Sequence, residues 1–402
     1  MSTLPSLPLP LMTSEPGSFA RYTIVERKPQ IVRQVIKDNA YPPDIVTALD
    51  AFIDEIAHRP IQPLYESSPD VDFWNTALSD YAGKTWLEVP WYFAEAYFYR
   101  KLLQITRYFQ PGPWQAQNPF QKQKLGLMEA DIRRLLPIWE QLYSREPEAL
   151  FVGLLHSSLW GNRADLSNFT VQAKARGGLA TQRERHLILI NHTDQVYRLL
   201  AAGVQRVDFI NDNVGGELLF DLALADFLLR EGWARQVHLH LKNRPFFVSD
   251  AMPDDVHQTI TLLKAVSSAA MRELGTRLAD ELARQQLSAN TDPFWTSCWM
   301  FRQMPLHLQE QIALADLVLL KGDVNYLRLL DDAHWPFTTR MEDVTGYFPA
   351  SFAVLRTLKG EILVGLKPGQ GEALSTKDPT WLINGKRGVI HFVLRPKHHK
   401  EA

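Results

Sequence analysis

From residue 187 onward, short apolar runs alternate with helical stretches, and this alternation confines the chain to few folds. The runs are Leu187–Ile190, Val207–Ile210, Val237–Leu241, Leu317–Leu320, Phe352–Leu355 and Val389–Leu394. Several are apolar at successive positions, as strands covered on both faces must be. The strongest helical stretches are Gly216–Arg230 and Pro253–Leu287. The second opens with Pro253, Asp254 and Asp255, a proline where the missing N–H costs nothing and acids at the positive end of the helix dipole. The pattern predicts an α/β/α sandwich with a mainly parallel sheet. Ligands then bind at the carboxyl ends of its strands.

The first half reads differently. Ile31–Ile56, Trp91–Phe109 and Asp131–Tyr143 carry apolar residues at helical spacing. The expected organisation is a flexible proline-rich tail over 1–17, a helical N-terminal region over 18–180, and an α/β domain over 181–402. In a chain of 402 residues, 46% hydrophobic, both parts can bury a core. A formal net charge of −2 gives no electrostatic reason to expect nucleic acid or a membrane surface as a partner. With Cys298 the single cysteine, no disulfide forms within the chain. No apolar run reaches the roughly 20 residues of a membrane span, and no signal peptide is recognisable. The chain is expected to be cytoplasmic; its oligomeric state is left open.

Four strand ends carry chemistry. Val207–Ile210 runs into Asn211-Asp212-Asn213-Val214-Gly215-Gly216-Glu217. Val237–Leu241 is followed by Lys242 and then Phe246-Phe247-Val248-Ser249-Asp250. Leu317–Leu320 runs into Lys321-Gly322-Asp323-Val324-Asn325, and Phe352–Leu355 into Arg356-Thr357-Leu358-Lys359. Oxygen ligands such as Asp212, Asn213 and Asp250 suit a hard divalent cation. Lys321 and Lys359 can hold a phosphate as point charges, and a helix opening at Gly215-Gly216 offers free N–H groups to an anion. Taken singly, each piece is ordinary: Asp212-Asn213 could cap a helix, and Lys-Gly-Asp is common turn chemistry. Their convergence makes a phosphoryl site.

At these same residues the sequence resembles the damage-control phosphatase family, subfamily III. The resemblance rests on Asp212–Leu218, Phe247–Asp250, Lys321–Tyr326 and Arg356-Thr357-Leu358-Lys359, with Leu159–Ser167 and Gly365–Gln370 in support. It implies a divalent metal (Mn²⁺, Co²⁺, Ni²⁺ or Mg²⁺) on Asp212, Asn213 and Asp250. It implies substrate contacts from Asp212, Asn213, Glu217, Lys321, Gly322, Asp323, Val324, Asn325, Arg356 and Lys359, and catalytic roles for Asp212, Asp250, Lys321 and Lys359. Hydrolysis of small phosphorylated metabolites is the implied activity, including sugar phosphates such as fructose 1-phosphate. The resemblance departs at Gly216, where relatives carry an aromatic that would edge the pocket. Whether water activated by the ion attacks, or Asp212 or Asp250 acts directly or as base, stays open.

Two other readings use the same loops. One is an S-adenosylmethionine-dependent carboxyl O-methyltransferase, with Glu217 at the cofactor; against it, the first strand is followed by Asn191-His192-Thr193-Asp194-Gln195, without glycine. The other is a metabolite-binding protein without turnover. Several further residues have modest readings. Glu95 and Arg100, on an aromatic helix with Trp91, are expected in ion pairs or walling the pocket. Asn162 and Asp165 either reach the site or cap a helix, and Asn191–Asp194 either border it or form a turn. His238 and His240 share a strand face, at a spacing that could ligate zinc but reads as a structural pair. His398 and His399 are expected in solvent, Cys298 in the core, and Gly365–Gly371 lacks the Gly-Lys-Ser/Thr of a phosphate-binding loop.

Overall fold

The structure is a computed structural model that describes residues 5–142, 145–161 and 187–396. Seven strands, labelled in chain order, form one sheet: β1 (Ile188–Asn191), β2 (Val204–Ile210), β3 (Ala234–Leu241), β4 (Leu287–Thr291), β5 (Leu317–Lys321), β6 (Phe352–Thr357) and β7 (Gly388–Val393). Their spatial order is β1-β7-β6-β5-β2-β3-β4. The five strands from β6 to β4 are mutually parallel, whereas β7 is antiparallel to β6 and β1 runs parallel to β7. The fold is thus the expected sandwich on a mainly parallel sheet, with two strands reversed at one edge.

Strand apolarity follows from double coverage. Val318 and Leu320 of β5 join one hydrophobic cluster, while Leu317 and Leu319 join the other, on the opposite face. The two clusters also divide the N-terminal half. Helices Lys28–Asp38, Pro43–His58 and Trp91–Ile105 pack on the first face; Gln121–Leu142 and Pro147–Trp160 pack on the second. The helical region therefore supplies layers on both sides of the sheet rather than preceding it as a separate body. The boundary expected at residue 180 falls outside the described residues, as do Asn162, Asp165, His398 and His399.

Helix Trp91–Ile105 is the innermost of these layers, with all 15 residues buried. Such a helix must be apolar on every side or carry paired polar groups. The segment expected to be helical over Ile31–Ile56 breaks at Pro42-Pro43 instead, because proline has no N–H for the preceding turn. Pro253–Leu287 likewise divides into helices Pro253–Ala265 and Ala269–Ala283, followed by edge strand β4.

The proline-rich start is not loose where it is described. Leu11 is buried, its N–H donates to the Asp332 carbonyl at 2.7 Å, and its own carbonyl accepts from Trp91 N at 2.8 Å. Further on, Phe19 N donates to Glu361 Oε1 at 2.9 Å. Prolines suit this extended course because it makes few backbone hydrogen bonds of its own. Among the described residues, no helix is long and apolar enough to cross a membrane.

Candidate active site

After β2 the chain passes to β3 and β4 on one side; β5 and β6 lie on the other. The order therefore reverses between β2 and β5, which opens a crevice at their carboxyl ends. A cleft of about 140 Å³ lies there. Asp212, Asn213, Glu217, Asp250, Gly322, Asp323, Val324 and Lys359 line it, together with Phe19, Arg27, Trp91, Glu95, Leu159, Phe247 and Ser249.

The β2 and β3 loops are stitched together by backbone bonds. Ala251 N donates to the Asp212 carbonyl at 2.7 Å, Val214 N to Ser249 O at 2.8 Å, and Lys242 N to Ala251 O at 3.0 Å. Ahead of Asp250, Phe247 and Val248 both adopt the left-handed conformation, with φ of 44° and 59°. That turn is costly for a β-branched valine, and its surroundings hold it. It delivers Asp250 beside Asp212 and Asn213.

Three carboxylates are thereby crowded into a desolvated space. Burial, then the charges of Glu217 and Asp250, push the Asp212 carboxyl well above its usual range; Lys242 and Lys359 act against them. Burial also raises Asp250, opposed first by Lys242, whose Nζ lies 3.4 Å from Asp250 Oδ2. That Oδ2 is buried and accepts no hydrogen bond. Asn213 Nδ2 donates to Asp212 Oδ2 at 2.6 Å and to Glu217 Oε2 at 3.2 Å, and Asn213 Oδ1 accepts from Ser249 Oγ at 2.6 Å. Among the described residues no three His, Cys, Asp or Glu side chains converge as a metal cage. The oxygen set of Asp212, Asn213 and Asp250 nonetheless fits a hard cation. Excess negative charge and the unsatisfied Asp250 oxygen are what such an ion relieves, and two carboxylates with an amide leave coordination positions open.

The expected cations separate. Lys359 is half-buried on the cleft wall. Lys321 is fully buried behind it: its Nζ lies 2.7 Å from the Ser158 carbonyl, 3.2 Å from Asp221 Oδ1 and 3.5 Å from Glu217 Oε1. Burial alone would lower its pKa, but the Asp221 and Glu217 charges outweigh that and raise it. Asp221 in turn accepts from Ser158 Oγ at 2.6 Å and Asn211 Nδ2 at 3.0 Å. Asn325 and Arg356 are buried too. Asn325 Nδ2 donates to the Lys321 carbonyl at 2.8 Å. Arg356 lies over the Tyr326 ring, donates to Asp323 Oδ1 at 2.6 Å and to the carbonyls of Gly360 and Ile362, and so shapes the loop carrying Lys359. Asp323 Oδ1 also accepts from Lys359 N at 3.2 Å.

Glycine is required at 322. Its φ is +83°, and a Cβ there would sit inside the Asp212 carboxylate. The helix start at Gly216 is not open to an anion, because its N–H donates to Asp131 Oδ2 at 2.7 Å. Nor does Gly216 edge the pocket: a Cβ would meet the Gly161 carbonyl. Asn191–Asp194 follow β1, whose reversed direction carries them to the far edge of the sheet, where Asn191 Oδ1 accepts from Thr193 N at 3.1 Å. His240 Nε2 pairs with Asp208 Oδ2 at 2.8 Å, as a structural histidine does. Cys298 is half-buried, with its thiol pushed up to about 12 by burial. Arg100 pairs with Glu66 at 2.6 Å and Asp70 at 2.9 Å, whereas Glu95 both pairs and faces the cleft. Sequence reasoning missed Phe19, Arg27 and Lys242; no spacing signal links the first two to strands nearly 200 residues away.

The comparisons with known proteins agree with this geometry. A family model described as the damage-control phosphatase ARMT1-like domain matches residues 23–374. The protein of Bos taurus named Damage-control phosphatase ARMT1 is 31% identical, covering 96% of this chain and 98% of its own. Its namesake in Danio rerio is 31% identical over 94% and 95%, and that in Homo sapiens 30% over 96% and 98%. Among solved structures, a DUF89 family protein of Pyrococcus horikoshii is 13% identical with a TM-score of 0.47, covering 92% of this chain and 98% of its own. With a family model over most of its length and relatives near 30% identity end to end, the chain belongs to the ARMT1-like damage-control phosphatase family.

Proposed function

We propose that this protein is a metal-dependent phosphomonoester hydrolase acting on small phosphorylated metabolites, with sugar phosphates such as fructose 1-phosphate as the expected class. The observation that carries the reading is the single cleft in which Asp212, Asn213 and Asp250 face Lys359 across the switch point of the sheet. A divalent cation bound by those three residues would supply positive charge to the transferring phosphoryl group and acidify a nearby water. Lys359 holds the phosphate from the opposite wall, where its charge counters that spread over the phosphoryl oxygens. Gly322 lets the β5 end approach Asp212. Lys321 acts from behind, neutralising Glu217 and Asp221 so that the carboxylates nearer the substrate keep their places.

Size supports a small substrate, since drug-sized ligands occupy sites of roughly 300–1,000 Å³. The test is release of inorganic phosphate from a panel of phosphometabolites by protein stripped with chelator and then supplied with Mn²⁺, Co²⁺, Ni²⁺ or Mg²⁺. Activity should vanish on chelation and return with metal. Full activity without metal would overturn the metal assignment. Tight S-adenosylmethionine binding with methyl transfer to carboxylates, lost in Glu217→Ala, would replace the hydrolase reading.

A further inference from the structure

The wall of the cleft opposite the strand ends is built by the N-terminal helices, and one residue there has an unfilled requirement. Glu95 is 3% exposed, on the wholly buried helix Trp91–Ile105, and its side chain reaches the cleft. One oxygen, Oε2, is paired with Lys28. The other, Oε1, is buried and has no hydrogen-bond partner. Lys28 is itself fully enclosed, with Nζ 4.7 Å from the centre of the Phe98 ring and 4.6 Å from that of Tyr99. The pair is thus neutralised from below, and a single acceptor faces upward between Trp91 and Phe247.

A carboxylate oxygen can only accept, and leaving one unsatisfied in a desolvated place is expensive. Trp91 cannot donate to it, because its Nε1–H is given to Thr23 Oγ1 at 2.9 Å. Nor is the oxygen part of the cation set, which stands on the strand ends. What satisfies it is an O–H donor brought by a ligand, in a charge-assisted bond. The aromatic faces on either side accept a carbon skeleton.

We infer that Glu95 is a specificity-determining residue that reads a hydroxyl group on the organic end of the substrate, so the preferred substrates are phosphorylated polyols or sugars rather than esters of plain alcohols. This rests on the phosphatase reading above and deepens it. Sites built to hydrogen-bond a substrate hydroxyl reject analogues lacking it far more strongly than apolar pockets reject a missing methylene.

The experiment compares fructose 1-phosphate with propyl phosphate, on metal-loaded full-length protein. Wild type should favour the sugar phosphate in kcat/KM by about a hundredfold or more. In Glu95→Gln that ratio should collapse by at least about tenfold, mostly through KM for the sugar phosphate. Should the buried Lys28 destabilise the single variant, Lys28→Met/Glu95→Gln removes both charges together and must show the same collapse. A wild type indifferent to the hydroxyls, or variants that retain the full preference, would overturn the inference and leave the phosphatase reading standing. If neither ester releases phosphate with metal supplied, the phosphatase reading falls and takes this inference with it.

Discussion

The carboxyl ends of β2 and β3 and those of β5 and β6 meet at one crevice but use their polar residues in opposite ways. On the β2–β3 side, Asp212, Asn213 and Asp250 all face the cleft, and backbone bonds between the loops fix them there. On the β5–β6 side, Lys321, Asn325 and Arg356 turn inward, leaving Gly322, Asp323, Val324 and Lys359 at the surface of the cleft. One side spends its charges on the ligand and the other mostly on its own scaffold. Charged groups aimed at a ligand destabilise the empty protein, whereas those aimed at each other hold it together. Mutations on the two sides should therefore separate activity from stability.

The largest effect belongs to Asp212. Asp212→Asn should cost about a thousandfold or more in kcat, since it removes a charge aimed at the reacting group. It should also raise the melting temperature of metal-free protein, because Glu217 and Asp250 repel that carboxylate. Differential scanning calorimetry beside phosphate-release kinetics checks both, and a variant both inactive and less stable would mark Asp212 as scaffold. Gly322→Ala is the converse, driving a Cβ into Asp212 from a left-handed backbone. It should lose about 1–3 kcal/mol of stability and most activity together; a stable, active variant would show that the two edges do not touch as described.

The two lysines sharpen the contrast. Lys321→Met leaves Asp221 and Glu217 buried without their cation, and should cost about 3 kcal/mol or more in denaturant unfolding. Lys359→Met should leave unfolding within about 0.5 kcal/mol of wild type and raise KM for phosphate esters. If instead Lys359→Met proves the destabilising one, the roles of the two edges are exchanged.

How far the sequence could have told these lysines apart depends on parity. Strands announce themselves by apolar runs, so β2, β3, β5 and β6 were legible to within a few residues. Direction along the next strand turn is also partly legible: Lys321 shares its parity with Leu317 and Leu319, which face the helix Gly216–Arg230, and so it points to Asp221 on that helix. Lys359 lies beyond β6, where alternation no longer speaks. Strand β4, Leu-Ser-Ala-Asn-Thr, escaped notice because an edge strand need be apolar on little of its surface. The reversal of β1 and β7 was invisible, since periodicity carries no polarity, and it is what removes Asn191–Asp194 from the crevice. The Glu95 wall could be suspected but not placed, because nothing local records which helix lies over which strand end.

That reversed edge supplies the smallest effect and a control for the comparison. His391, on β7, is buried, its Nδ1 has no partner, and its ring meets that of His192 edge-on at 5.2 Å between centres. Burial, then the neighbouring His192, push its pKa down to about 3, below the roughly 6.5 of an unfolded histidine. Between those values the unfolded chain binds the proton and the folded one does not. Stability contributed by the neutral ring is therefore complete above about pH 6.5 and is lost as pH falls toward 3, at on the order of 1 kcal/mol per pH unit. Replacing His391 by Leu should flatten that part of the acid unfolding profile. Because the residue lies outside the crevice, kcat/KM at neutral pH should stay within about twofold of wild type. A profile as steep as before would assign the acid sensitivity elsewhere. A large loss of neutral-pH activity in a stably folded variant would mean that the far edge of the sheet reaches the crevice after all.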